Sequence, residues 1–321
     1  MGMWQSLLQC KGPLSKMFKG LRENRSENCM MNIAFMTASL PIDEETFQEI
    51  QTLAQFGKEI DRLDYSYPLN LTLLNKPFSR GFCILAYDEE RNHLVGVITA
   101  VDKIGFDTYE WSFLVDPMYR KAGLEDALFS LLSKAFQDRQ AVGELVALNE
   151  KDLYARKIIE HYGYTYSFSE AIFEAAAEEA KMNPSVHIRP YEESDLERLI
   201  EIFRETFGDL RDETLELIEM NTNVPGRVIW VAEMDGEVVG TLTTAKEEMS
   251  QWVTSVAVYP NHQRKGVATA LLEWAKDFAY RSGEQRVLLE VEMENEEALS
   301  VYLKAGFRKS LQIDFFAYGK L

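Results

Sequence analysis

Apolar residues in the second half of the chain recur at two spacings. A spacing of three or four residues, as in Leu196, Leu199 and Phe203, predicts a helix with one buried face, here over 196–207. Shorter runs rich in β-branched residues predict strands, and Asp235-Gly236 predicts a hairpin turn between two of them. Ser194 and Glu197 have the spacing of a capping box. The predicted strands are 186–189, 228–233, 238–244, 252–258, 287–291 and 312–318, with further helices from about 266 and over 295–304. This order predicts the α/β class, with a mixed sheet covered by helices.

The chain contains an internal repeat. Pro117 and Pro260 are 143 residues apart, and each ends a similar apolar run. Gly123 and Gly266 show the same separation, and so do Gly163-Tyr164 and Gly306-Phe307, while 93–99 and 237–243 are 144 apart. This separation is long enough for each copy to bury its own core. We predict an N-terminal extension over 1–30, a first copy over 31–174, a linker over 175–184 and a second copy over 185–321.

Composition narrows the function classes. The 321 residues are 46% hydrophobic and 27% charged, which is typical of a globular protein of two domains. No apolar run has the roughly 18 residues that span a bilayer. The net charge of −18 argues against nucleic-acid binding and suits small cationic partners. The oligomeric state stays open.

The cysteines and histidines restrict the possible function classes further. Three cysteines form no CxxC pair, which predicts a reducing compartment and a cytoplasmic location. Four scattered histidines include no HExxH pattern, so we expect no metal site. The segment 1–30 differs from the rest, because it carries five basic and two acidic residues. It has two interpretations, a loosely ordered extension or an amphipathic helix for a membrane surface or a partner.

The stretch 255–269 combines a strand, a loop and the start of a helix. A helix N-terminus offers unpaired amides to an anion, and the small residues Gly266 and Ala268 allow close approach. Arg264 and Lys265 add positive charge to an otherwise acidic region. These features predict a phosphate site. The alternative is an ordinary strand-to-helix connection with a solvated basic pair.

Gln263, Gly266 and Ala268 fill the pattern Gln/Arg-x-x-Gly-x-Gly/Ala, and the chain downstream reads Leu289-Glu290-Val291, Asn295, Ala298, Tyr302 and Gly306-Phe307. Both segments resemble the GNAT superfamily of N-acetyltransferases. The resemblance implies a tandem two-domain member that uses acetyl-CoA as acyl donor. It also implies that the backbone of the strand pairs with the pantetheine arm, that the loop holds the pyrophosphate, and that Asn295 caps its helix and contacts the cofactor. The implied strand and loop residues are Val256, Ala257, Val258, Gln263, Arg264, Lys265, Gly266, Val267, Ala268 and Thr269.

Acetyl transfer to an amine needs an acid for the leaving thiolate and a base for the ammonium. The resemblance implies that Tyr302 is the acid, whereas packing alone also explains an aromatic residue there. It implies that Glu290 is the base. Glu292, Glu294, Glu247 and Glu248 are rivals, and a water-mediated route needs no single base.

The first copy departs from the pattern. Arg120 and Gly123 keep two signature positions, but Glu125 replaces Ala268 and Ile159 replaces Tyr302. A carboxylate beside a pyrophosphate is unfavourable. We therefore expect a degenerate, non-catalytic copy and one CoA per chain. The alternative is a copy that binds something else.

Two functions remain open at this stage. One is an acetyl-CoA-dependent N-acetyltransferase acting through the second copy. The other is a non-catalytic CoA- or metabolite-binding sensor or scaffold. The acceptor of the enzyme would be a small-molecule or peptide amine: a peptide N-terminus, a polyamine, an aminoglycoside or a cysteinyl-type amine. Acidic residues near the expected acceptor side favour a cationic one: Asp209, Asp212, Glu213 and Glu216.

Overall fold

The computed structural model describes residues 32–103, 105–120 and 122–319, so the predicted extension 1–30 lies outside the described residues. The chain forms two compact units. The first unit joins the residues up to Phe168 with those from Ile313 onward, and the second unit is Ser169–Gln312.

The first unit is built on a sheet in the order β1-β2-β3-β4-β5. Only β4 and β5 are parallel among these strands, and the last half of β12 pairs with β5 from Ile313 to Ala317. One core packs α2 and α3 against the sheet, and a second core lies beneath α1. The elements are β1 (Ile33–Ser39), α1 (Glu44–Asp61), β2 (Gly81–Asp88), β3 (His93–Val101), β4 (Thr108–Val115), α2 (Leu124–Asp138), β5 (Gly143–Asn149), α3 (Leu153–His161) and β6 (Tyr164–Ala176), which continues into the second unit.

The second unit repeats this plan, and its sheet has the order β6-β11-β10-β9-β8-β7. Strands β10 and β11 are its parallel pair. The predicted order of strands and helices is confirmed, and a second helix, α5, follows α4 before the first hairpin. The elements are β7 (His187–Pro190), α4 (Leu196–Phe207), α5 (Arg211–Asn223), β8 (Arg227–Met234), β9 (Glu237–Glu247), β10 (Ser250–Val258), α6 (Val267–Arg281), β11 (Arg286–Glu292), α7 (Glu296–Lys304) and β12 (Arg308–Tyr318).

Helices cover both faces of the second sheet. Helices α6 and α7 pack on one face around Trp230, Leu271 and Phe307. Helices α4 and α5 pack on the other face around Phe203 and Val231. Helix α4 buries the stripe of Leu199 and Phe203 that the apolar spacing predicted. Within the described ranges, no helix is long and apolar enough to cross a membrane.

The compact units divide the chain differently from the boundaries predicted from the repeat. Residues 169–174 lie within the predicted first copy and 175–176 in the predicted linker, but this part of β6 pairs with β11 in the second unit, from Glu170–Glu292 to Ala176–Arg286. The predicted linker 175–184 also belongs to the second unit. A repeat reports which residues correspond along the chain. Strand pairing depends on which backbone edges meet, so the two divisions need not coincide.

The start of α4 also differs from prediction. The expected capping box of Ser194 and Glu197 is wrong, because Asp195 Oδ2 instead accepts from the backbone amide of Glu192 at 2.9 Å. Glu197 pairs with Arg211 on α5 at 2.5 Å. Asp195 is held by Arg189 at 2.6 Å, and the Arg189 guanidinium keeps the pKa of this carboxyl below its usual range. The ion pair with Arg189 of β7 thus holds Asp195, rather than Ser194, in the capping position.

Two phenylalanines of β6 provide a matched test of the division of this strand between the two units. Phe173 is 3% exposed in the core of the second unit, and Phe168 is 5% exposed and stacks on Phe315 at 4.6 Å in the first unit. We expect each alanine substitution to lower the free energy of unfolding of the unit that contains the ring by about 3–5 kcal/mol. Peptide-resolved hydrogen exchange measures this. Phe173→Ala should speed exchange in β8–β11, and Phe168→Ala in β2–β5, although the residues lie five positions apart. Faster exchange in the first unit for Phe173→Ala would refute the assignment.

Candidate active site

Strands β10 and β11 part in the middle of the second sheet. Their parallel register runs from Ser250–Arg286 to Val253–Leu289, and both strands continue beyond it, to Val258 and Glu292. Past Val253, the edge of β10 that faces β11 is therefore not occupied by strand pairing in the described chain. An exposed backbone edge can pair with an extended ligand as a further strand would. The predicted residues Val256, Ala257 and Val258 lie along this opening.

A β-bulge lies at the same place. The register between β9 and β10 shifts between Thr254 and Ala257, so Ser255 and Val256 occupy the bulge. Ser255 has φ +53°, a left-handed conformation that is uncommon for serine. A bulge turns backbone groups out of the ladder and occurs often beside active sites. The bulge and the parted strands together form a slot at 254–258, which we call the β10 slot.

The loop after β10 leads directly to the start of α6. Pro260–His262 form one 3-10 turn, and Gln263 Nε2 donates to the carbonyl of Val258 at 3.2 Å. Gln263 thus ties the loop to the end of the β10 slot. Arg264, with φ +60°, and Gly266, with φ +84°, then reverse the chain into the helix. The predicted loop residues are in this way brought together beside the predicted strand residues.

The N-terminus of α6 suits a diphosphate. Gly266 is the N-cap residue, and no side chain caps the helix there. The first amides of the helix, from Val267 to Thr269, therefore have no capping acceptor in the described part of the chain, and the helix dipole adds positive potential. A Cβ at Gly266 would stand in the space above the turn, 3.7 Å from Asn183 Nδ2. The absence of a side chain keeps that space open for phosphate oxygens.

The two basic residues of the loop face solvent. Arg264 pairs with Glu297 at 2.8 Å, but the two side chains are 85% and 78% exposed. Such an exposed pair is worth little and exchanges readily for another anion. Lys265 and Thr269 are exposed as well, whereas Val267 is buried and anchors the first turn in the core.

Helix α7 carries two of the predicted residues. Asn295 Oδ1 accepts from the backbone amide of Ala298 at 3.1 Å and caps the helix, as expected. Tyr302 lies on the face that packs on the α6–α7 core, near the ring of Phe307. Burial raises the pKa of Tyr302 to about 12, so the phenol keeps its proton at neutral pH. A protonated, half-buried phenol has the state that a general acid requires.

Glu290 lies on the opposite face of β11 from Tyr302. Val287, Leu289 and Val291 point into the α6–α7 core, and Glu290 is exposed on the side of α4 and α5. Glu292 shares that face, as the period of two predicted. The rivals Glu247 and Glu248 lie at the β9–β10 turn, five or more strand residues, or roughly 17 Å, from the bulge. Tyr302 and the acidic candidates for the base therefore lie on opposite faces of β11.

The first unit has the same arrangement of strands and helices, but polar residues in its corresponding loop and helix start form hydrogen bonds with other residues of that unit. Its β3–β4 register is continuous from Gly96–Val115 to Val101–Glu110, so β4 carries no bulge. Arg120 forms a double hydrogen bond with Asp61, and Tyr154 donates to Glu125. Although burial raises it, the hydrogen bonds from Arg120 and Tyr65 hold the pKa of Asp61 below its usual value. The Arg120 cation that could meet a diphosphate therefore already has an internal carboxylate partner, Asp61.

Sequence reasoning missed the bulge, because no residue type in Ser255-Val256 marks one. It also missed that Asp61 of α1 accepts hydrogen bonds from Arg120, and that Glu125 accepts one from Tyr154. Asp61 lies 59 residues from Arg120, so no local pattern pairs them.

The chain belongs to the GNAT acetyltransferase family. The family model described as Acetyltransferase (GNAT) family matches residues 45–164 and 196–307, which is more than half of the chain. Family membership supports an acetyltransferase activity in general, and it fits both the tandem repeat and the slot in the second unit.

Curated relatives agree with this class. The chain is 30% identical over 106 residues to "Probable N-acetyltransferase camello" of Xenopus tropicalis, covering 32% of this chain and 48% of the relative. It is 28% identical over 119 residues to human "N-acetyltransferase 8B", covering 35% of this chain and 52% of that protein. The chain thus spans about half the length of these relatives.

Solved structures share the fold over nearly the whole chain. A GCN5-related N-acetyltransferase from Sphaerobacter thermophilus superposes with a TM-score of 0.71 and 17% identity, covering 88% of this chain and 95% of that one. A tandem GNAT protein from the clavulanic acid biosynthesis pathway gives a TM-score of 0.66 and 13% identity, covering 90% and 100%. These likenesses show the tandem fold.

Two equivalent glycines test the diphosphate site. Gly266 and Gly123 are both N-cap residues with φ of +84° and +80°, so aspartate meets a similar backbone strain at each. We expect Gly266→Asp to abolish measurable CoA binding in calorimetry, because it adds a charge beside the diphosphate. Gly123→Asp should leave both the affinity and a stoichiometry of one CoA per chain unchanged. Two sites per chain, or equal effects of the two variants, would contradict this assignment.

Proposed function

We propose that the second unit is an acetyl-CoA-dependent N-acetyltransferase that transfers the acetyl group to a primary amine by direct attack. The observation that carries the proposal is the β10 slot, which leads through the loop tied by Gln263 to the uncapped start of α6. Tyr302 lies on α7, which packs with α6 on one face of the sheet. The first unit lacks the bulge and has internal partners for its cation. A cytoplasmic location is part of the proposal and rests on the cysteine pattern.

The residues around the slot fit acetyl-CoA, which supplies the thioester acetyl group when bound. The backbone of Val256, Ala257 and Val258 pairs with the pantetheine arm. The amides from Gln263 to Thr269 hold the diphosphate, and Arg264 and Lys265 add positive charge. Asn295 orders the start of α7 and thereby the helix that carries Tyr302.

Tyr302 and Glu290 serve the two proton transfers from opposite sides of the slot. The amine nitrogen forms the new bond to the acetyl carbon, and the carbon–sulfur bond breaks. Tyr302 gives its hydroxyl proton to the departing sulfur. Glu290 accepts the proton of the attacking ammonium, directly or through water.

The acceptor is a cationic amine that enters on the side of α4 and α5. The loop after α4 and the first turns of α5 bear Asp209, Asp212 and Glu216, and Glu290 lies on the same side of the sheet. Burial, with the neighbouring charge of Glu213, raises the pKa of Asp209 above its usual value. A cation at this position is therefore stabilised both by attraction and by relief of repulsion. A small diamine or a peptide N-terminus has this chemistry.

Removing the Tyr302 hydroxyl tests the acid. We expect Tyr302→Phe to lower kcat by about 10²–10⁴-fold with CoA affinity nearly unchanged, because a positioned acid contributes that much. Since the Tyr302 pKa of about 12 keeps the phenol protonated, the wild type should show no loss of kcat from this group below about pH 11. Tyr280→Phe, on the exposed side of α6, is the control. Unchanged turnover of Tyr302→Phe would remove it from the mechanism.

Adjacent acidic residues of one strand face test the base. We expect Glu290→Gln to lower kcat about 10²-fold and Glu292→Gln to have little effect, because only Glu290 lies at the level where β10 and β11 part. Steady-state rates on an accepted amine measure both. Equal small losses would favour the water-mediated route without a single base.

A screen of amines against acetyl-CoA, reading thiol release, tests the proposed function as a whole. Diamines and peptide N-termini should be accepted over neutral or acidic amines, and Asp209→Asn should raise their KM. If the protein binds CoA but turns over no amine class, the interpretation as an enzyme is wrong and a CoA-binding sensor or scaffold is favoured.

A further inference from the structure

The segment between the two family-matched stretches runs along α6. Glu178 pairs with the buried Lys276 at 3.1 Å, and the backbone amide of Ala180 donates to Asp277 at 3.3 Å. Lys276 also donates to the carbonyl of Ala305, at the end of α7. These contacts fix the segment on the second half of α6. A few residues later, the segment reaches the other end of the helix, where Asn183 lies beside Gly266.

The backbone and the neighbouring residues orient the Asn183 side chain. The amide of Ser185 donates to Asn183 Oδ1 at 3.0 Å, and the amide of Val186 donates to the Asn183 carbonyl at 3.1 Å. Because Oδ1 is the acceptor in this turn, the NH₂ group is the end that faces Gly266. Asn183 Nδ2 lies 3.7 Å from the position of a Gly266 Cβ, and no described residue accepts a hydrogen bond from it.

We propose that Asn183 is a further acetyl-CoA-binding residue, whose side-chain amide donates to the diphosphate at the start of α6. The inference rests on the proposed function of the β10 slot. It assigns a binding role to a residue that lies outside both family-matched stretches, in the segment that the repeat alone marks as a linker.

The chemistry of the position supports a phosphate ligand. An amide NH₂ supplies hydrogens without a charge of its own, and it adds a side-chain donor to the backbone amides of α6. The glycine N-cap keeps the space between donor and helix free of protein atoms. The equivalent glycine of the first unit differs, because no described atom lies within 4 Å of a Cβ at Gly123. The side-chain donor is therefore a feature of the unit to which we assign the cofactor.

Calorimetry of the full chain with CoA tests the role of Asn183. Asn183→Asp keeps the oxygen that accepts from Ser185 but adds a negative charge, and we expect CoA affinity to fall about 30–100-fold. Asn183→Ala removes the donor together with the oxygen that accepts from Ser185, and a loss of about 10-fold is expected. Asn92→Asp, in the exposed β2–β3 turn, is the matched control and should bind as the wild type does. Thermal unfolding of each variant confirms that the second unit is folded.

Dephospho-CoA identifies the phosphate that is contacted. Because it keeps the diphosphate and lacks the 3′-phosphate, Asn183→Asp should weaken CoA and dephospho-CoA by the same factor. A loss seen with CoA alone would overturn the diphosphate assignment. Wild-type affinity in Asn183→Asp, with the wild type itself binding CoA, would overturn the inference and leave the proposed function intact. A wild type that binds no CoA would overturn both.

Discussion

The separation of β10 and β11 is the feature on which the rest of the site depends. Two parallel strands that stayed paired to their ends would satisfy each other's backbone groups and leave nothing for a ligand. The bulge at Ser255–Val256 turns the chain out of the β9 ladder where pairing with β11 stops. The unpaired edge, the loop tied by Gln263 and the uncapped start of α6 follow one another along the chain. Among the described residues, the β10 edge and the α6 start lack backbone or capping partners, and together they match an extended, phosphorylated ligand.

The two units share one arrangement of strands, loop and helix, but they differ in whether the polar groups of the loop have partners within the unit. Both have a parallel strand pair followed by a loop and a helix with a glycine N-cap in the left-handed region. In the first unit, Asp61 and Glu125 hydrogen-bond to Arg120 and Tyr154. These pairs have small side-chain exposure, so breaking one would leave a partly buried charge alone. Internal carboxylates there compensate the cation that a diphosphate would otherwise meet.

The end of the predicted first copy and the predicted linker contribute to the second unit. Residues 169–176 close the sheet beside β11, and Glu178 and Ala180 fix the chain on α6. Lys276, buried among Glu178, Glu273 and the Ala305 carbonyl, links this segment to the end of α7, one turn from Tyr302. A buried ammonium is stable only with such partners. The segment thus stabilises the two helices that carry the proposed cofactor loop and the proposed acid.

The sequence by itself determined the elements, the tandem plan and the family, because periodicity, turn residues and the Gln263–Ala268 motif are local signals. It also placed Tyr302 and Asn295 on one helix and Glu290 and Glu292 on one strand face. The tertiary structure decided what depends on residues distant in the chain. It made Asp195 rather than Ser194 the capping residue, through the ion pair with Arg189, and it paired Asp61 with Arg120. It also paired residues 170–176 with β11 and placed Asn183 beside Gly266. Such choices are made by strand edges and charges that meet only after folding, so no local pattern records them.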